Sequence, residues 1–170
     1  MGFDILLLIT IIIIGTLAWG GIRGAPWVPT HRKDESRIVA LARPPAGARV
    51  ADLGCGTGGV LAAFARAGCR VTGWELALVP WCIAWLRLRR FTGSHVRLGD
   101  FWGKSLSEFD VVYLFLFPRA YARLAEQLRR ELRPGARVLA SAWPLPGWDP
   151  ECVDRAPGRI PIYVYRVPRV

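Results

Sequence analysis

Lysine is nearly missing from this chain. Of 23 basic residues only Lys33 and Lys104 are lysines, so a formal charge of +10 is carried by arginine. Histidine is as scarce, with His31 and His95 alone, and the four cysteines (Cys55, Cys69, Cys82, Cys152) form no C-x-x-C pair. So few ligands, so spaced, cannot complete a tetrahedral shell, and no metal site is expected. The cysteine spacing also excludes a disulfide framework and suits free thiols in a reducing compartment. Charged residues make up only 21% against 52% hydrophobic, which excludes wholesale disorder. A length of 170 residues leaves room for one domain and excludes a two-domain dehydrogenase or a long repeat array. A basic surface suits nucleic acid, anionic lipid or an acidic protein, and charge alone does not choose among them.

What the chain does have is an uncharged N-terminal run. From Ile5 to Ile22, 18 residues, no charge appears. As a helix this run spans about 27 Å, close to the hydrocarbon thickness of a bilayer. A signal peptide would carry a basic segment before the run and a small-residue cleavage site after it. Here only Asp4 precedes, and Trp19-Gly20-Gly21-Ile22 is a poor site. A helix apolar on every face is also more than so small a domain buries. The run therefore reads as a single-pass membrane anchor over residues 1–22, with residues 23–170 as the domain it tethers. Arg23, Arg32 and Lys33 follow the run and no Lys or Arg precedes it, which puts the N-terminus outside and the domain on the cytoplasmic side. Trp19 and Trp27 suit the interface, and basic residues beside the run suit anionic headgroups.

Beyond the run, strand and helix patterns alternate. A first helix carries the stripe Ile38, Val39, Leu41 and Ala42 and stops at Pro44-Pro45. Strands are predicted at Arg49–Leu53, Arg70–Glu75, His95–Leu98, Asp110–Phe117, Arg137–Trp143 and Ile160–Val167. A short partner for the last lies near Cys152–Arg155. Helices fall over Gly59–Ala67, from a first turn holding Pro80 to about Arg90, and from Pro118 to Pro134-Gly135. The expected fold class is α/β, a layered and mostly parallel sheet.

The stretch Asp52-Leu53-Gly54-Cys55-Gly56-Thr57-Gly58-Gly59 carries the chemistry. Glycines after a first strand let backbone approach a ligand at the next helix. Gly54, Gly56 and Gly59 also satisfy G-x-G-x-x-G, the dinucleotide fingerprint. Charge separates the two ligands: a pyrophosphate at this turn would be repelled by Asp52, whereas a ligand with an amine and a sulfonium would be drawn to it. Glu75, at the end of the second strand, can accept both ribose hydroxyls, which suits either nucleoside. Asp100, at the end of the third strand, can accept from an adenine amine while Phe101 or Trp102 packs on the base. Any one of these acids could be a solvated loop residue; three at successive strand ends form a set.

The segment Val50-Ala51-Asp52-Leu53-Gly54-Cys55-Gly56-Thr57-Gly58 resembles motif I of the class I S-adenosylmethionine-dependent methyltransferases. Glu75, Asp100 and Leu132-Arg133-Pro134-Gly135 match that family's later landmarks. The apolar run followed by Pro26-Trp27-Val28-Pro29-Thr30 is similar to the membrane-anchored protein lysine methyltransferases that modify the adenine nucleotide translocase and the ATP synthase c subunit. The Phe115-Leu116-Phe117-Pro118 end of strand four suits them too. The resemblance implies a Rossmann-like sheet with its last strand antiparallel, flanked by helices and preceded by one transmembrane helix. It implies S-adenosyl-L-methionine as cofactor, held by Thr30, Asp52, Gly54, Gly56, Gly58, Glu75, Asp100 and Phe101, with Thr30 over the methionine end. The absence of an Asn/Asp-Pro-Pro-Tyr motif argues against adenine or glutamine N-methylation.

Methyl transfer needs alignment and exclusion of water more than a dedicated nucleophile, so no catalytic side chain is assigned. A lysine acceptor must arrive neutral, and an apolar rim of Phe115, Phe117, Pro118 and Trp143 would favour that form. Core packing is the simpler account of any one of these, and of Tyr113. His31 and His95 receive no role. Arg119, Arg123, Arg129, Arg130 and Arg133 read mainly as a solvated helix face. The expected partners are a protein substrate, a membrane protein among the candidates, and the bilayer; nucleic acid is not expected. A lipid or small hydrophobic acceptor, or a non-catalytic interaction module, remains open as an alternative.

Overall fold

The structure, a computed structural model, describes Thr30, residues 32–168 and, nearer the N-terminus, only positions 4, 5, 7, 10, 11 and 15. The expected anchor over 1–22 and the segment up to Pro29 thus lie largely outside the described residues. Among those described, no helix is long and apolar enough to cross a membrane.

Helices α1 (Arg32–Ala42), α2 (Gly59–Arg66), α3 (Leu78–Leu88) and α4 (Pro118–Glu131) alternate with strands β1 (Arg49–Leu53), β2 (Arg70–Glu75), β3 (Ser94–Leu98), β4 (Val111–Leu114) and β5 (Arg137–Ser141). Strands β6 (Cys152–Asp154) and β7 (Ile162–Arg166) follow. The seven strands form one sheet in the order β3-β2-β1-β4-β5-β7-β6. Strands β1 to β5 run parallel, and β7 lies antiparallel between β5 and β6. The mostly parallel α/β sheet with its last strand antiparallel is as expected.

Strand period two splits the core into two layers. Ala51, Leu53, Val112, Leu114, Val138, Ala140 and Tyr165 face α4 and the loop after β3. Val50, Val71, Val111, Tyr113, Leu139 and Val164 face α1, α2 and α3. All four residues of β4 are buried, the expected state of a central parallel strand. Arg37 of α1 donates from Nε to Asp154 Oδ2 at 2.8 Å and from Nη2 to the Asp154 carbonyl at 2.9 Å, tying α1 to β6. Arg137 Nη1 donates to the carbonyl of Ala42 at 3.0 Å, putting a cation on the free carbonyls at the end of α1.

Two strands end sooner than their apolar runs. Strand β4 stops at Leu114, where its partners Leu53 and Ala140 are the last to pair, so Phe115–Phe117 leave the ladder. Strand β5 stops at Ser141, because Ala142 takes a left-handed φ of 73° and its N–H turns to the Pro161 carbonyl. The causes differ: β4 loses its neighbour where β1 turns away at Gly54, and β5 is ended by its own left-handed residue. Pro118 opens α4 as expected.

Candidate functional site

At the C-terminal end of β1 the chain turns through three glycines of left-handed φ, Gly54 (87°), Gly56 (53°) and Gly58 (73°). The N–H groups of Gly54 and Cys55 both donate to the Trp74 carbonyl, at 3.0 and 2.9 Å, which binds the loop to the end of β2. A Cβ on Gly54 would lie 3.0 Å from Leu116 Cδ2, and one on Gly58 would lie 3.0 Å from Ala84 Cβ. Only glycine suits these two positions in both dihedral and space. Helix α2 then begins with no side-chain cap. The Glu35 carboxylate of α1 lies against Gly59, occupying the place a Cβ there would take.

Asp52, Glu75 and Asp100 stand at or just beyond the ends of β1, β2 and β3, as expected. Glu75 Oε2 accepts from Gly56 N at 2.9 Å and Oε1 from Ala77 N at 2.8 Å, so the carboxylate is fixed against the glycine loop. Each oxygen keeps a lone pair for a ribose hydroxyl. Asp100 Oδ1 accepts from Trp102 N at 3.0 Å, closing a turn. Asp52 is only 2% exposed. Burial first and the neighbouring Glu75 charge second push its carboxyl well above the ordinary range. The same burial, with Asp52 and Glu75 beside it, pushes the Cys55 thiol up and leaves it inert.

Although the chain carries ten positive charges in excess, none of the ion pairs found among the described residues involves Asp52, Glu75 or Asp100. A desolvated carboxylate without a counter-ion is costly, and the cost is lifted by a ligand that brings the cation. That fits the amine and sulfonium of S-adenosyl-L-methionine and opposes a pyrophosphate.

Thr30 joins the same end of the sheet, near the hydroxyl of Tyr113, which sits opposite Asp52 in register. Tyr113 and Ser141 share a hydrogen bond of 3.0 Å, and Tyr121 donates to the Ser141 carbonyl at 2.9 Å. Burial pushes the Tyr113 phenol far up, so it stays protonated. Phe101 is turned into the core layer beneath α4 with Trp74 and Leu106, and is 6% exposed. The half-buried aromatic beside Asp100 is Trp102, covered by Arg123 at 4.0 Å. Of the expected rim, Phe115 and Phe117 are half-buried, Pro118 is exposed, and Trp143 is 49% exposed. Sequence reasoning missed Ser141 and Leu116. Ser141, a polar residue closing an apolar strand, was the available signal for the first; nothing local marked the second.

A family profile described as the ANTKMT methyltransferase domain matches residues 52–152, from the buried acid of β1 to the start of β6. The chain belongs to the ANTKMT methyltransferase family. This methyltransferase domain is 33% identical over 133 residues to the human lysine N-methyltransferase of the ATP synthase c subunit, covering 75% of this chain and 56% of that protein. It thus spans little more than half of that relative's length. A protein-lysine N-methyltransferase of Saccharolobus islandicus is 30% identical over 131 residues, covering 74% of this chain and 81% of that one. Among solved structures, an RNA methyltransferase from Salinibacter ruber in complex with S-adenosyl-L-homocysteine superposes with a TM-score of 0.77 at 26% identity, covering 84% of this chain and 95% of that one. The bound product in that structure agrees with the cofactor expected for this methyltransferase from its sequence.

Proposed function

We propose that this protein is an S-adenosylmethionine-dependent protein-lysine N-methyltransferase held at a membrane by its N-terminal run. The observation that carries the reading is the buried Asp52, with no ion pair among the described residues, beside a glycine loop that Glu75 holds in shape. Relatives named as protein-lysine methyltransferases support a lysine acceptor. When bound, the cofactor supplies a methyl carbon activated by its sulfonium. Asp52 holds the cationic methionine end, Glu75 accepts from the ribose, and Asp100 accepts from the adenine amine. Thr30, near Tyr113, closes over the methionine end. Phe115, Phe117, Pro118 and Trp143 offer an incoming lysine an apolar surface that disfavours its charged form, so the amine meets the methyl group neutral. No side chain is required as a nucleophile.

The anchor and its orientation rest on the sequence: the uncharged run Ile5–Ile22, then Arg23, Arg32 and Lys33. In this reading residues 1–22 span the membrane and the methyltransferase domain faces the cytoplasm, beside membrane-protein substrates.

Incubating the full chain with methyl-labelled cofactor and membranes from its own source tests the proposal. Label on the lysine of a membrane protein, located by mass spectrometry, is expected. Label confined to lipid or to RNA would replace the acceptor, and no label on any component would favour a non-catalytic module. Release of the chain from membranes by alkaline carbonate would remove the anchor.

A further inference from the structure

We infer that the outer face of α3, with the adjoining edge strand β3, is a second membrane-contacting surface that docks on anionic lipid headgroups. Helix α3 packs inward through Pro80, Ala84 and Leu88. The opposite face of a helix on a water-exposed sheet is ordinarily polar. Here residues 78–86 contain no charged side chain, and Ile83, Trp85 and Leu86 stand 40%, 48% and 53% exposed. Leu98, on the strand α3 packs against, is 49% exposed. Trp81 Nε1 donates to the Val96 carbonyl at 3.2 Å, which fastens helix to edge strand and makes the two one surface.

Within the stretch of chain that forms this surface the charge is of one sign, and Glu35 of α1 approaches only Arg87, at its inner end. No Asp or Glu occurs between Glu75 and Asp100, while Arg87, Arg89, Arg90 and Arg97 fall within that interval. Arg89, Arg90 and Arg97 are exposed. Helix α4 shows the contrast: its outward arginines are mixed with Glu126 and Glu131, and none of its large apolar side chains is exposed, the pattern of a face that meets water. Exposed tryptophan and aliphatic side chains rimmed by arginine match an interfacial surface, where apolar groups enter the headgroup layer and cations meet lipid phosphates. A second copy of this chain would set arginine against arginine, so a bilayer is the better complement. The backbone edge of β3, unpaired among the described residues, keeps the docking at headgroup depth, where water still satisfies its N–H and C=O groups.

This contact is independent of the methyltransferase reading and additional to the N-terminal anchor. The test compares two faces of the same full-length chain on vesicles. The exposed native thiol is removed by Cys152→Ser, and an environment-sensitive fluorophore is placed on Leu86→Cys or, in a separate protein, on Glu126→Cys of α4. The Cys152→Ser parent serves as blank for labelling at Cys82, and Ile83→Cys serves as a second site should Leu86→Cys fail to fold. With vesicles of phosphatidylcholine plus phosphatidylglycerol, the fluorophore at 86 shifts to the blue and the one at 126 does not. In pure phosphatidylcholine the shift at 86 is smaller. Arg89→Gln and Arg90→Gln each lower the docked-to-undocked ratio about fivefold. Because both fluorophores ride on the same anchored chain, insertion of the N-terminal run alone cannot produce the difference. Equal emission from 86 and 126 on anionic vesicles would overturn the inference. So would a shift at 86 that tracks protein concentration without lipid, which would assign the face to a second copy of the chain.

Discussion

Replacing Asp52 by asparagine should strengthen the empty protein and disable the site. The side chain is 2% exposed, and no ion pair among the described residues neutralises it. Burial first, then Glu75, raises its folded pKa well above the unfolded value. A group shifted in this direction contributes stability that is fully present below the unfolded carboxylate pKa of about 3.9 and lost as pH rises through the folded value. The share of stability due to Asp52 therefore falls from acid toward neutral pH, and Asp52→Asn, an isostere without the charge, escapes that loss. Urea denaturation at pH 7 should find the variant more stable than its parent. Cofactor binding moves the opposite way. Removing one partner of a buried ion pair costs about 2–5 kcal/mol, so affinity for S-adenosylhomocysteine should fall from about 30-fold to several thousand-fold. A cation arriving at Asp52 also draws its pKa back down. Binding to the parent should release protons, seen as an enthalpy that changes with the buffer, and the variant should lose that share. Binding retained within about threefold, or a variant weaker than its parent at pH 7, would refute the electrostatic account.

Gly58→Ala should cost about 2–5 kcal/mol in urea denaturation, the sum of left-handed strain and overpacking, because φ is 73° and the new Cβ meets Ala84 Cβ at 3.0 Å. An unchanged midpoint would mean that the loop can re-form. The Tyr165 hydroxyl accepts from Leu145 N at 2.8 Å in a buried setting, so Tyr165→Phe strands that donor and should cost about 1–3 kcal/mol. The hydrogen bond from Arg37 holds the Asp154 carboxyl below its ordinary value, so this link adds stability above the unfolded carboxylate pKa and loses it as pH falls through the folded one. In Arg37→Ala that acid-side decline should shrink, as read from urea midpoints across a pH series.

Strands β1 and β2 could be read from the sequence to the residue, since each is a short apolar stretch bounded by arginine on one side and by glycine or an acid on the other. Strands β4 and β5 could not. A parallel strand ends where its neighbours stop pairing, and neither the departure of β1 at Gly54 nor the left-handed turn at Ala142 is written in the apolar run itself. The same division holds at the site. Asp52, Glu75 and Asp100 were legible because strand ends and turn glycines place them. The direction of Phe101 depends on the layer under α4, and the hydrogen bond between Tyr113 and Ser141 joins two distant segments. The Glu35 carboxylate against Gly59 is likewise a matter of tertiary packing.

Because Glu75 already grips Gly56 and Ala77 before any nucleoside arrives, it serves as a rivet in the scaffold as well as a reader of ligand. A descendant that abandoned chemistry altogether would still be under pressure to keep an acid there, or its turn would slacken. Finding such an acid in some other chain of this architecture therefore testifies to an assembled turn. Evidence of turnover has to come from Asp52, whose burial, with no ion pair among the described residues, does nothing for the fold.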